Sequence, residues 1–172
     1  MCNNCFKESN IEEHIEKYLE ESESKRLILE KLLRAKSYKY SDIIDKEDRK
    51  SYLCLNDSCG IYHFFYEENN IKYSLYLGKA SFGNCDKWNL HERLKQHFQP
   101  SQDNTIHGKI KKRLRLADNN EAINIIKERN VYLQFIEIYI KQENMNWNEI
   151  YNKIATYEKF CIEVLNPTFT DK

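Results

Sequence analysis

A carboxylate in an apolar stripe needs a partner, and this chain has one. Residues Trp147, Ile150, Tyr151, Ile154, Tyr157, Cys161, Val164 and Leu165 fall at helical spacing, and Glu158 lies in register with Tyr151, Ile154, Cys161 and Leu165. Leaving a polar group buried and unpaired costs roughly 2 to 7 kcal/mol even when it is neutral, so Glu158 must meet a cation, a metal ion or a cluster of donors. Glu149 and Glu163 sit well round the same helix and read as solvated. The helix by itself leaves two partners open, an arginine or a metal ion. Arg93 and His97 are four residues apart on another short helical stretch, so one face could carry both to a single phosphate. The alternative is an ordinary solvated face. Lys72, Ser74, Tyr76 and Gly78 alternate with Leu75 and Leu77, which predicts Tyr76 on the more polar side of a strand. Tyr62 is ambiguous, because a chain with 12 tyrosines buries several for packing alone.

The elements that must position these residues can be read in order. Residues 9–36 are helical in pattern, with Ile11, Ile15, Tyr18 and Leu19 on one stripe, Leu29, Leu32 and Leu33 on a second, and a break expected at Ser22 and Ser24. Residues 60–66 and 71–79 are rich in Tyr, Phe, Ile and Leu and predict a hairpin across Glu67-Glu68-Asn69-Asn70. A helix over 90–98 follows, with Asn89 and Glu92 at the spacing of an N-terminal cap and Pro100 as its stop. A basic helical stretch within 106–129 is expected to break near Asp118-Asn119-Asn120. Residues 131–140 predict a third strand, and a last helix runs from about Asn146 to Asn166-Pro167. The expected fold is a small α/β layer, a three-stranded antiparallel-leaning sheet flanked by helices. Residues 1–57 are expected as an N-terminal helical extension and 58–172 as the main domain, with a basic helical insert at about 100–130.

Charge and cysteine usage narrow the function classes. Net charge is zero, but between Lys79 and Arg115 the basic residues Lys79, Lys87, Arg93, Lys95, Lys109, Lys111, Lys112, Arg113 and Arg115 face only Asp86, Glu92 and Asp103. A polyanion would therefore be met in the middle of the chain, with Lys109, Lys111, Lys112, Arg113 and Arg115 as the phosphate-binding candidates for a partner such as DNA; the alternative is a solvated helix face. No run of eighteen apolar residues and no secretory leader pattern is present, so a soluble, cytoplasmic protein without a membrane partner is expected. Six cysteines without an export signal point to reduced thiols. Structural zinc on Cys2, Cys5, Cys54 and Cys59 is a weaker alternative, because the four-residue spacing of the second pair is loose.

Gly60-Ile61-Tyr62 followed by Tyr76-Leu77-Gly78 resembles the paired strand motifs of the GIY-YIG nucleases, with Leu77 in place of the usual isoleucine or valine. Lys79-Ala80 is similar to the Gly-Lys-Ala continuation of the repair branch, and Asn89-Leu90-His91-Glu92-Arg93-Leu94 to the helix that carries the family arginine. His97 falls where members often have histidine or tyrosine. Glu158, nine residues before Pro167, matches the metal-binding glutamate, and the resemblance spans about residues 58–170. Two departures stand against it: longer connections between Tyr62 and Tyr76 and between Gly78 and Arg93, and Thr170 where many members carry asparagine. Longer surface connections cost little entropy.

The resemblance implies a metal-dependent DNA endonuclease that hydrolyses phosphodiester bonds. In that picture Glu158 holds one Mg²⁺ or Mn²⁺, Arg93 neutralises developing charge and Tyr62 activates water. Tyr76 and His97 orient the nucleophile, and Lys79 adds positive charge. A small restriction-type enzyme is expected, with a homodimer on DNA as a corollary. A catalytically inactive nucleic-acid-binding module and a repair or recombination nuclease of the same fold are the alternatives.

Overall fold

The computed structural model describes residues 23–81 and 89–170. Its elements are α1 (Glu23–Arg34), β1 (Tyr38–Lys39), α2 (Tyr40–Ile44), α3 (Arg49–Tyr52), β2 (Ser58–Glu68), β3 (Ile71–Ala80), α4 (Leu90–Gln96), α5 (Ile106–Leu114), α6 (Asn119–Glu128), β4 (Val131–Ile140) and α7 (Trp147–Leu165). The four strands form one antiparallel sheet in the order β1-β4-β2-β3, flanked by helices, a mixed α/β fold. Ser24, one of the two positions where a break was expected, lies in the first turn of α1. Ser22 and the stripe from Ile11 to Leu19 lie outside the described residues.

The β2–β3 hairpin is tighter than the sequence suggests. Glu67 and Glu68 continue the ladder opposite Lys72 and Ile71, leaving only Asn69 and Asn70 as the turn. Both have left-handed backbone, φ 54 and 63, the pair that matches the twist of the flanking strands. The pattern also missed β1. Two residues carry no periodicity, and this strand exists because Tyr38 and Lys39 pair with Leu133 and Tyr132.

Each sheet face has its own core. On one face Tyr62, Phe64 and Tyr66 pack with Tyr40 and Ile43 of α2, Leu90 and Leu94 of α4, Ile106 and Ile110 of α5, and Ile123 and Ile126 of α6. On the other, Ile61, Phe65 and Leu77 pack with Leu29 and Leu32 of α1 and Ile154, Cys161 and Leu165 of α7. The segment before Ser58 thus contributes buried side chains to both.

Capping explains the helix boundaries. Asn89 accepts from the Glu92 N–H at 2.9 Å, and Asp118 accepts from Asn120 and Glu121. Arg115 turns left-handed, φ 55, and ends α5, which divides the basic stretch before the expected Asp118 break. After α7, left-handed Asn166 reverses the chain, and residues 168–170 run along the outer edge of β3. Phe169 N–H donates to Leu75 O at 2.8 Å. Thr170 Oγ1 accepts from Leu77 N–H at 2.8 Å and donates to Leu77 O at 3.1 Å. The edge of β3 is covered as far as Leu77.

Candidate active site

Where that cover ends, β3 reaches Gly78. Tyr62 sits directly opposite on β2, and its ring leans across the glycine: a Cβ at position 78 would lie 2.5 Å from the Tyr62 hydroxyl. Only the missing side chain lets the phenol reach this point. Gly60 answers a similar need, since a Cβ there would lie 1.9 Å from the Ile136 carbonyl oxygen beside the ladder irregularity at Cys59/Gly60. Tyr76 arrives by a route that alternation did not predict. The register shifts between Phe64 and Phe65, which pair with Tyr76 and Ser74 and leave Leu75 opposite neither. That bulge sends Ser74 to the face where His63 bonds it at 2.8 Å and turns Tyr76 to the face of Tyr62, with ring centroids 6.2 Å apart. Tyr76 is consequently buried, not on a polar side.

Helix α4 supplies Arg93 and, at its C-terminal cap, His97. Arg93 Nε–H donates to Tyr62 Oη at 3.1 Å, and His97 Nε2 lies 3.0 Å from the same oxygen. The tautomer of His97 follows from its other nitrogen. Nδ1 accepts the Ile106 backbone N–H at 3.1 Å, so a neutral ring must carry its hydrogen on Nε2 and donate it to Tyr62. Burial, helped by the nearby Arg93 and His107 charges, holds the His97 pKa well below the usual histidine range, so the ring is neutral. Burial alone would lower the Arg93 pKa, but Tyr62 and Tyr76 beside it keep it above its ordinary value. Its other nitrogens are held too: Nη1 donates to Gln96 Oε1 at 2.7 Å and Nη2 to Asn104 O at 3.3 Å. Neither Gln96 nor Asn104 was singled out in the sequence. Gln96 was findable, three residues after Arg93 on a helix, whereas Asn104 acts through its backbone and left no signal.

From the other face, Lys79 and Glu158 meet as an ion pair with side chains 23% and 18% exposed. An arginine partner for Glu158, one of the two readings left open, is not what the fold provides. Tyr62, Tyr76, Lys79, Arg93 and Glu158 line one cavity of about 310 Å³ beside Gly78 and Ser81. His97 stands behind Tyr62. The donor set facing the cavity is a carboxylate and phenol oxygens with no thiolate, which suits a hard ion such as Mg²⁺ that takes one or two carboxylates and completes its shell with water and substrate oxygens. Glu158 would hold it. No group of three or more His, Cys, Asp or Glu able to hold a metal occurs among the described residues.

The basic candidates divide by role. Lys111 pairs with Asp103 at 2.5 Å, while Arg113 donates to Thr168 O at 3.3 Å and covers the Phe169 ring. Lys109, Lys111, Lys112 and Arg115 line a second cavity of about 640 Å³. Of the zinc candidates, Cys59 is buried with Sγ 3.7 Å from Tyr139 O and Cys54 is exposed; Cys2 and Cys5 lie outside the described residues. No helix among the described residues is long and apolar enough to cross a membrane. No family model, curated protein sequence or solved structure matches the chain.

Proposed function

We propose that this protein is a metal-dependent DNA endonuclease of the GIY-YIG type, hydrolysing a phosphodiester in the cavity at Gly78. The observation that carries the reading is the convergence of Tyr62, Tyr76, Lys79, Arg93 and Glu158, from two strands and two helices far apart in sequence, on one cavity. Phosphodiester hydrolysis needs positive charge at the phosphoryl oxygens, a directed water and a proton acceptor. Arg93, fixed by three acceptors, meets the first need without reorganising. A divalent ion bound at Glu158 would supply further charge and a more acidic water. Lys79 balances Glu158 in its absence and is free to contact a phosphate once the carboxylate is engaged.

Tyr62 is the proton acceptor in this scheme. Its oxygen receives hydrogen bonds from Arg93 and His97, an environment that favours the phenolate, although burial first and the neighbouring Tyr76 second push its pKa well above 10. His97 cannot take that role, because one nitrogen accepts from Ile106 and the other carries the hydrogen it gives to Tyr62. It is a positioning residue. Within this reading the enzyme acts on DNA in the cytoplasm as a restriction-type nuclease, and two protomers meet on the duplex.

The decisive experiment is Glu158→Gln. The variant should fold, as judged by an unchanged circular dichroism spectrum, and lose Mg²⁺-dependent cleavage of supercoiled plasmid by at least about 10³-fold. Cleavage at the wild-type rate would remove Glu158 from the reaction and with it this assignment. Arg93→Lys should be nearly as impaired, since a point charge does not replace a planar fork of donors.

A further inference from the structure

The second cavity lies against the candidate active site. Asn104, whose carbonyl holds Arg93, lines this second cavity together with Gly108, Lys109, Lys112 and Arg115. The two spaces are fixed relative to one another by three contacts. Arg93 is bonded to Asn104, His97 is bonded to the first N–H of α5, and Gly108 lies so close to the 103–105 loop that a Cβ would sit 1.9 Å from Asp103 O.

The charges here are unevenly committed. Asp103 takes Lys111 at 2.5 Å, but Lys112 on α5 and Arg115 just past its end, both exposed and both lining the cavity, have no carboxylate partner among the described residues. Arg115 also occupies the left-handed position that ends α5, φ 55, where glycine or asparagine is the easier residue. The chain turns there with the Arg115 side chain exposed at the rim of the cavity.

We propose that this cavity binds a backbone phosphate of the same DNA whose scissile phosphate enters the first cavity, at a separation that the fold holds constant. The inference rests on the nuclease reading. Lys112 and Arg115 supply the charge, and the rigid link through Asn104 and Ile106 sets a constant separation between the two phosphates. A constant separation selects a regular backbone.

The test is the salt dependence of binding by the full chain to a duplex of about 30 bp without divalent metal. In the double variant Lys112→Ser, Arg115→Gly, the slope of log K against log[KCl] should become shallower by about 2, and affinity near 0.1 M salt should fall roughly 50-fold, as expected for two lost phosphate contacts. Its Tm should not fall, because glycine suits position 115 better than arginine. A control lacking two charges elsewhere, Lys127→Ser, Lys153→Ser, should keep the wild-type slope. An unchanged slope in Lys112→Ser, Arg115→Gly overturns the proposal, as does a loss confined to vesicles of anionic lipid. The nuclease reading fails separately: a wild-type protein that cuts neither plasmid nor bis(p-nitrophenyl) phosphate, yet shows the expected change of slope, keeps the phosphate site and loses the catalysis.

Discussion

At Tyr62 two forces act in opposite directions. Burial favours the neutral phenol, while the donors Arg93 and His97 favour the phenolate, and the net pKa lies well above 10. A base with so high a pKa is ionised in only a small fraction at neutral pH. The cleavage rate should therefore climb about tenfold per pH unit between roughly pH 6 and 9, and a flat profile would take the base role from Tyr62. Gly78→Ala should act through the same oxygen. Its methyl would fall 2.5 Å from the hydroxyl, so Tyr62 must move; kcat/KM should drop about 10²-fold with a stability loss of about 1–3 kcal/mol. His63 makes an independent prediction. Burial first, then the Lys72 charge, push its pKa down to about 3. Below about pH 6.5 the unfolded chain binds the proton that the folded chain refuses, so stability is complete above that pH and is lost as pH falls toward 3. The loss should approach about 1.4 kcal/mol per pH unit for this residue, with His97 adding to it. Denaturant unfolding at several pH values checks this, and His63→Gln should flatten the dependence.

At the scale of the element, the hairpin and the edge of β3 decide where the cavity can open. Asn69 and Asn70 both adopt left-handed backbone, φ 54 and 63, and glycine is the easier second residue of such a turn. Asn70→Gly should raise stability by about 0.5 kcal/mol, read as a higher denaturant midpoint. Thr170 works from the opposite side, closing the N–H and C=O of Leu77 with one hydroxyl. Thr170→Val should cost about 1–2 kcal/mol and speed hydrogen exchange at the Leu77 amide. The threonine that departs from the family pattern thus makes a supporting contact of its own.

For the whole molecule, the proposed nuclease, with one cavity and a single carboxylate to hold a metal, would cut one strand at a time, so cutting both strands in one encounter would need two protomers related by a two-fold axis. Mixing wild type with an excess of Glu158→Gln should then convert plasmid to nicked circles in place of linear DNA. Linear product in simple proportion to the active enzyme, with one chain per duplex in sedimentation, would make the enzyme a monomer acting by successive nicks.

The sequence alone determined what is local. Periodicity and capping placed β4 over residues 131–140, started α4 after Asn89 and α7 after Asn146, and marked Glu158 as a carboxylate out of place in an apolar stripe. Those signals persist because hydrogen bonds within an element and the identity of its buried face repeat along the chain. Only tertiary structure decided what depends on two segments meeting. Strand β1 exists through its pairing with β4, and the face of Tyr76 through a bulge opposite Phe64 and Phe65. The partner of Glu158 is Lys79, seventy-nine residues away. The tautomer of His97 was fixed by one backbone N–H of a helix whose position no pattern in the sequence encodes.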